Sequence, residues 1–247
     1  MHPGDRVWFV DSASQDDSVA IARDLGVEVV LAPRGKGRAI ATALERCEEG
    51  YICLLDADQF YWTVNIPATL RATALASEAA MVLGSYSEER RRVIQPYVYW
   101  PLVDALFSDY GRRCDPTPLS GLRSFDIAVV PPGRLPPGYG IETHLNLAFA
   151  AAGRRIEVVD LGVVQGPLRA YANVAEVASD VSTAILDFAE GCGRLDPPGR
   201  AHFERWRREM LEKLSATPPP GADDREFLAE LERLRARCSA PPQRIRT

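Results

Sequence analysis

The feature that most constrains the fold is a regular alternation within the first sixty residues. Short apolar runs suited to buried strands, Val7–Val10, Val27–Leu31 and Tyr51–Leu55, are separated by helical segments and short polar connections. Ser18–Leu25 has helical spacing and stops at Gly26. A second helix opens at Gly35-Lys36-Gly37 and runs to about Cys47. This is the pattern of an α/β sheet with parallel neighbours. Ligands in such sheets bind beyond the carboxyl ends of the strands. Asp11 and the pair Asp56/Asp58 both fall at such ends.

The later segments alternate less regularly. Asn65–Ala76 reads as helix, Met81–Gly84 as strand and Ser87–Gln95 as a charged loop containing Arg90-Arg91-Arg92. Pro96–Tyr110 reads as helix and Ser124–Val130 as strand. A Pro/Gly-rich loop then leads to a helix from Gly140 to Gly153 and a strand at Ile156–Val159. Val174, Val177, Val181, Ile185 and Phe188 recur at helical spacing, giving an amphipathic helix over Ala172–Glu190. Residues 1–193 are therefore expected to form one α/β domain. Residues 194–247 form a helical appendage, Arg200–Leu214 and Asp224–Arg237, joined by the linker Thr217-Pro218-Pro219-Pro220-Gly221. The second of these helices carries Phe227, Leu228, Leu231 and Leu234 as an apolar stripe that needs a cover, from this chain or from a second copy.

Composition narrows the function classes. The 247 residues carry 29 Lys and Arg against 34 Asp and Glu, a net charge of −5. That balance argues against a general nucleic-acid binder. No apolar run approaches the ~18–20 residues of a membrane span. The five cysteines are scattered and form no Cys-x-x-Cys pair, so neither a zinc site nor a disulfide framework is indicated, and a reduced cytoplasmic setting is expected. Of the three histidines, His144 follows Glu142 on one helix and reads as a packed residue.

The chemistry concentrates in Asp56-Ala57-Asp58 at the exit of an apolar strand. Two carboxylates one residue apart suit a hard cation, Mg²⁺ or Mn²⁺, whose shell phosphate oxygens complete. The same triplet also occurs in surface turns. Upstream, Gly35-Lys36-Gly37 sits at a helix start, where glycines allow close backbone approach and the helix end favours anions. It is not a phosphate-binding P-loop, because no Ser or Thr follows Lys36. Asp11-Ser12-Ala13-Ser14 adds hydroxyls and a carboxylate. A metal-bound diphosphate with base and ribose matches this set.

The run from Val7-Trp8-Phe9-Val10-Asp11-Ser12-Ala13-Ser14 through Gly35-Lys36-Gly37 to Leu54-Leu55-Asp56-Ala57-Asp58 resembles GT-A nucleotide-sugar glycosyltransferases, and in particular the glucosyl-3-phosphoglycerate synthase family. Arg92-Val93, Pro118-Leu119-Ser120-Gly121, Gly138-Tyr139-Gly140-Ile141-Glu142 and Val159-Asp160-Leu161-Gly162-Val163 follow in that family's order, so the likeness covers roughly residues 5 to 190. The resemblance implies a GT-A-like mixed α/β sheet flanked by helices. It implies sugar transfer with retention from a nucleotide-diphosphate donor to a small anionic acceptor, with Mg²⁺ or Mn²⁺ and a homodimer.

By the same resemblance Asp11, Ser12, Lys36, Asp56, Ser120 and Gly121 bind the donor. Asp56 and Asp58 hold the metal, and Glu142, Leu119 and Asp58 are catalytic. Arg92, Tyr139 and Gly140 meet the acceptor. Three departures stand out. The family opens with a strand and a Pro-Ala-x-Asn-Glu type loop, and this sequence starts past them. Gly166 stands near the family's metal-ligand His, with Val164 at an adjacent basic position, and Ile94 replaces a Thr of the acceptor loop. The alternative is a catalytically impaired GT-A-like binding or assembly protein. A nucleotidyltransferase lacks support, because no Gly-rich phosphate loop follows the first strand.

Overall fold

The computed structural model describes residues 4–87, 93–110, 112–130, 135–165, 174–218 and 223–238. The opening alternation is present as β1 (Trp8–Asp11), α1 (Ser18–Asp24), β2 (Glu28–Leu31), α2 (Lys36–Leu44) and β3 (Tyr51–Leu54). The Asp16–Ser18 turn bonds within itself, the Ser18 amide to Asp16, and Asp17 gives α1 no side-chain cap. Gly26 ends the helix at φ +71°, a left-handed conformation that costs glycine little.

Next come β4 (Tyr61–Trp62), α3 (Ile66–Ser77) and β5 (Met81–Ser87). Asn65 caps α3, its side chain accepting the Ala68 amide. The segment expected as one helix from Pro96 to Tyr110 is a π-turn at Gln95–Tyr99, then α4 (Trp100–Leu106), then a 3₁₀ turn at Ser108–Tyr110. The strand expected over Ser124–Val130 is β6 (Arg123–Asp126). It stops because the Asp126 carboxylate accepts the Ala128 amide and starts a 3₁₀ turn. After α5 (Ile141–Ala151), the strand expected at Ile156–Val159 runs on as the ten-residue β7 (Ile156–Gln165).

The strands form a mixed arrangement. β1 and β2 pair in parallel, and five further strands lie in the order β3-β6-β5-β7-β4. Within these, β6 runs antiparallel to β3 and β5, and β5 and β7 run parallel. The distal end of β7 pairs with β4. Alternate residues of β5 serve opposite faces, as strand pleating requires. Met81 and Leu83 pack with Ile40, Phe125, Ile141, Leu145 and Phe149 beneath α2 and α5, while Val82 packs with Ile66, Leu70, Leu122 and Leu161 beneath α3. The sheet is split between β1 and β3. Among the described residues each pairs on one edge, and both strands line a common cleft of about 2560 Å³.

The C-terminal part comprises α6 (Val174–Gly191), α7 (Pro197–Ser215) and α8 (Arg225–Ala236). These helices share one apolar cluster with α4, in which Phe107, Val181, Ile185, Phe203, Met210 and Leu231 are fully or almost fully buried. The apolar stripe of α8 is covered by this chain itself. Phe227 and Leu231 are buried in that cluster, and the Trp206 indole donates to the Leu234 carbonyl. Of the two covers the sequence left open, the stripe takes the one from this chain. Among the described residues no helix is long and apolar enough to cross a membrane.

Candidate active site

The cleft between β1 and β3 ends where both strands end. Asp11 is the last residue of β1 and is buried, its carboxylate accepting the Ser14 amide. The Ser12 hydroxyl accepts the Gly35 amide at 2.8 Å. Asp56 stands two residues past the end of β3, and Asp58 lines the same cleft. Lys36, the first residue of α2, reaches across. Its ammonium lies 2.9 Å from Asp56 Oδ1 and 2.6 Å from Glu142 Oε1.

Glu142 is buried in the first turn of α5, where the helix end favours a carboxylate. Burial works against the Lys36 charge, yet the Glu142 and Asp56 carboxylates outweigh it and hold the ammonium well above the ordinary lysine range. The three side chains thus form a charged cluster at the base of the cleft.

Close backbone approaches set this geometry. A Cβ on Gly121 would lie 2.6 Å from Asp56 Oδ1 and 2.7 Å from its Cγ, so only glycine lets the 118–121 turn lie against that carboxylate. The glycines at the start of α2 serve a different purpose from the one expected. A Cβ on Gly37 would lie 2.9 Å from the Pro136 carbonyl carbon. The Gly37 and Arg38 amides donate to the carbonyls of Gly138 and Pro137. These two amides of the helix start are therefore taken by the 136–138 loop and are not offered to an anion.

That loop is held on its other side by α6. Asp180 accepts the Tyr139 amide at 2.8 Å, and a Cβ on Gly140 would lie 2.7 Å from the Asp180 carbonyl oxygen. Gly140 is buried against α6, whereas Tyr139 lines the cleft.

Beneath the 118–121 turn lies Arg123, completely buried. Its guanidinium donates to the carbonyls of Pro118, Ser120 and Glu142 and to Asn146 Oδ1. Burial pushes it down from the ordinary arginine range, against the pull of Glu142. Asn146, four residues after Glu142, also donates to the Pro118 carbonyl. Ser120 is buried, its hydroxyl bonded to the Leu122 backbone, and Leu119 lines the cleft while packing against the helical cluster.

The structure thus brings Asp11, Ser12, Lys36, Asp56, Asp58, Leu119, Ser120, Gly121 and Tyr139 around one cleft, with Glu142 against Lys36. Arg90, Arg91, Arg92, Gly166 and Arg169 lie outside the described residues. Sequence reasoning missed Arg123, Asn146 and Asp180. The available signals were an arginine just before the mostly apolar run Phe125–Val130, an Asn at i+4 from Glu142, and an acid between Ser179 and Val181 on α6. His144 packs edge-on against Phe188, and burial lowers its pKa.

Comparison with known proteins adds the following. Residues 1–86 match the model of Glycosyl transferase family 2. No curated protein matches. Among solved structures, glucosyl-3-phosphoglycerate synthase from Mycobacterium tuberculosis with Mn²⁺, UDP and phosphoglyceric acid is 25% identical. The match covers 75% of this chain and 68% of that one, at a TM-score of 0.67. The same enzyme with Mn²⁺, UDP-glucose and phosphoglyceric acid is 24% identical over 74% and 68%, at 0.65. Its complex with Mg²⁺ and UDP is 25% identical over 75% and 68%, also at 0.65. The chain therefore has a GT-A fold, and its first 86 residues carry the Glycosyl transferase family 2 pattern.

Proposed function

We propose that this chain is a nucleotide-sugar glycosyltransferase that moves a sugar, with retention, onto a small anionic acceptor. The observation that carries this reading is the Lys36–Asp56–Glu142 cluster at the ends of two strands, in an open cleft with Asp11, Ser12 and Asp58. In this reading residues 1–193 carry the transferase and residues 194–247 brace it. Asp11 and Ser12 face the nucleoside, and Lys36 meets the diphosphate as a point charge. Leu119, Ser120 and Gly121 wall the sugar subsite. Glu142 and Tyr139 orient sugar and acceptor beside Gly140, and Arg92 is assigned to the acceptor.

The neighbouring solved enzyme binds Mn²⁺ or Mg²⁺ together with UDP. Asp56 and Asp58 present hard oxygen donors suited to either ion. Among the described residues no three His, Cys, Asp or Glu side chains gather as a metal cage, so diphosphate oxygens would complete the shell. A divalent ion there would neutralise charge developing on the departing diphosphate.

The chain's own contribution is electrostatic and positional. Lys36 is positioned by its contacts with Asp56 and Glu142, and a preorganised charge of this kind leaves little reorganisation for the reaction itself. No protein nucleophile is required when the leaving phosphate takes the acceptor proton on the same face of the sugar. The two-carboxylate metal site favours, as a second reading, a nucleotide-binding protein of weak or no activity.

The test is incubation with UDP- and GDP-hexoses, Mn²⁺, and 3-phosphoglycerate or neutral polyols, with mass spectrometry of the products. A hexose added to an anionic acceptor, lost in Asp58→Asn, supports the transferase. Nucleotide binding without turnover of any donor supports the second reading.

A further inference from the structure

We infer that the cleft between β1 and β3 is a strand-binding groove, which takes a short, continuously apolar, extended segment of a different polypeptide.

The cleft is too large for a nucleotide alone. It measures about 2560 Å³, against about 300–1,000 Å³ for sites that hold small molecules. Asp11, Lys36 and Asp56 stand at one end of it, where the strands end. The rest runs the whole length of both strands, along Trp8–Asp11 and Tyr51–Leu54.

The hydrogen bonds of the two strands show where their remaining backbone groups point. The Asp11 carbonyl accepts the Ala32 amide, and the Gly50 carbonyl accepts the Ile127 amide. Backbone groups alternate from side to side along a strand. Phe9 and Asp11 therefore face β2, and Ile52 and Leu54 face β6. The amides and carbonyls of Trp8, Val10, Tyr51 and Cys53 point away from those partners. These residues all line the cleft. Two such edges on one cleft form a template for an added strand.

The side chains set the chemistry of the occupant. Val7, Ile21, Leu25, Tyr51, Leu55 and Leu75 line the cleft, and each is more than half exposed. A gathering of that kind marks an interaction surface. Helices wall the groove on both faces of the sheet. Ile40 of α2 lines it from the face of Met81 and Leu83, and Ala74 of α3 from the face of Val82. A strand seated here is covered on both faces and is apolar at every position, not at alternate ones. β1 and β3 are each four residues long, so about four to six residues fill the groove at about 3.3 Å each.

This chain has no such segment to spare. Its strand-like apolar runs are already placed in the sheet, and each longer stretch outside the described residues contains proline or adjacent arginines. A second copy brings the same strands, already in use. The occupant is therefore a different polypeptide.

The experiment is residue-by-residue amide exchange of the full chain, alone and with a capped peptide of about ten residues, valine and isoleucine through its middle and lysine at both ends. In the chain alone, the Val10 and Cys53 amides should exchange about ten-fold faster than those of Phe9 and Ile52, and the peptide should bring the two sets level. The same peptide with proline at alternate central positions lacks the donors and should protect nothing. Leu25→Glu and Leu75→Glu, both at exposed positions, should leave the melting temperature unchanged and weaken the peptide about ten-fold or more. Val10 and Cys53 amides as protected as Phe9 and Ile52 in the chain alone would mean that the edges are already paired, which overturns the inference. Protection that grows with protein concentration assigns the groove to a second copy and overturns it as well. So do open edges that the apolar peptide leaves unprotected, or equal protection by the proline peptide.

Discussion

The packing of Gly121 against Asp56 makes Gly121→Ala the most direct probe of the site. Gly121 is buried and has no positive φ, so alanine meets no backbone strain there. The new methyl carbon would nevertheless lie 2.6 Å from Asp56 Oδ1, inside any tolerable contact. The short Asp56 side chain relieves the clash by rotating away, which breaks its contact with Lys36. A hydrogen bond to a charged group is worth about 1.5–3 kcal/mol. Both side chains are 28% exposed, so solvent screening places the loss in the lower half of that range. The stiffer unfolded chain of the alanine variant returns about 0.4–1 kcal/mol. A net loss of about 1 kcal/mol lowers the melting temperature by about 2–4 °C for a domain of this size.

The assay is a thermal double-mutant cycle with Asp56→Ala. Without the carboxylate the clash partner is gone, so Gly121→Ala in that background should cost nothing or stabilise slightly. A coupling of at least about 1 kcal/mol between the two positions is expected. An equal loss in both backgrounds would refute the reasoning, since the methyl would then be clashing with something other than Asp56.

Other expectations follow from the same geometry. Arg123→Met leaves the carbonyls of Pro118, Ser120 and Glu142 without their buried donor, at a cost of about 3–5 kcal/mol by urea denaturation, which Arg123→Lys recovers only in part. Because burial lowers the His144 pKa, the unfolded chain takes up this proton first. Stability from this group is complete above the unfolded value of about 6.5 and falls as pH drops below it. Melting curves between pH 7.5 and 5.5 should show a shallower decline in His144→Phe than in wild type. Asp196→Ala removes the α7 cap that accepts the Gly199 amide and should cost about 1 kcal/mol, read as a lower melting temperature.

The reach of sequence reasoning differed by element for physical reasons. The β1-to-β3 alternation was legible because each strand is short, apolar and bounded by turn residues. Its acids fall at strand exits, which fixed Asp11 and Asp56 before any coordinates. β4 escaped notice because two exposed residues, Tyr61 and Trp62, carry no period at all. β7 was read too short because its second half contains Asp160 and Gly162. There the Asp160 carboxylate accepts the Gly162 amide and the register with β5 shifts, so the strand bends and continues to β4. The meaning of Gly35 and Gly37 was misread because sequence shows that a close approach is allowed but not what approaches. Arg123 was invisible for a related reason. A charge at the start of a short, mostly polar strand is legible as a buried group only once its acceptors, spread over residues 118–146, are known to converge.

That convergence explains why helices distant in sequence bear on the site. Glu142 is placed by the 136–140 loop, and the loop is gripped from two sides. The α2 amides take the carbonyls of Pro137 and Gly138, and Asp180 of α6 takes the Tyr139 amide. The position of α6 therefore sets where Glu142 meets Lys36. α6 in turn is fixed by α7. The Arg207 guanidinium donates to the hydroxyls of Ser179, Ser182 and Thr183, all within one turn of Asp180, and Arg200 pairs with Asp187 further along. Because α8 covers the remaining apolar face of α7 through Phe227 and Leu231, the C-terminal helices complete the support of a carboxylate at the base of the cleft. Spatial order of this kind does not by itself carry energy between the ends. It does mean that α6 answers to two neighbours at once, the loop beneath the site and the helix behind it, and that Ser179–Thr183 is the stretch where both are felt.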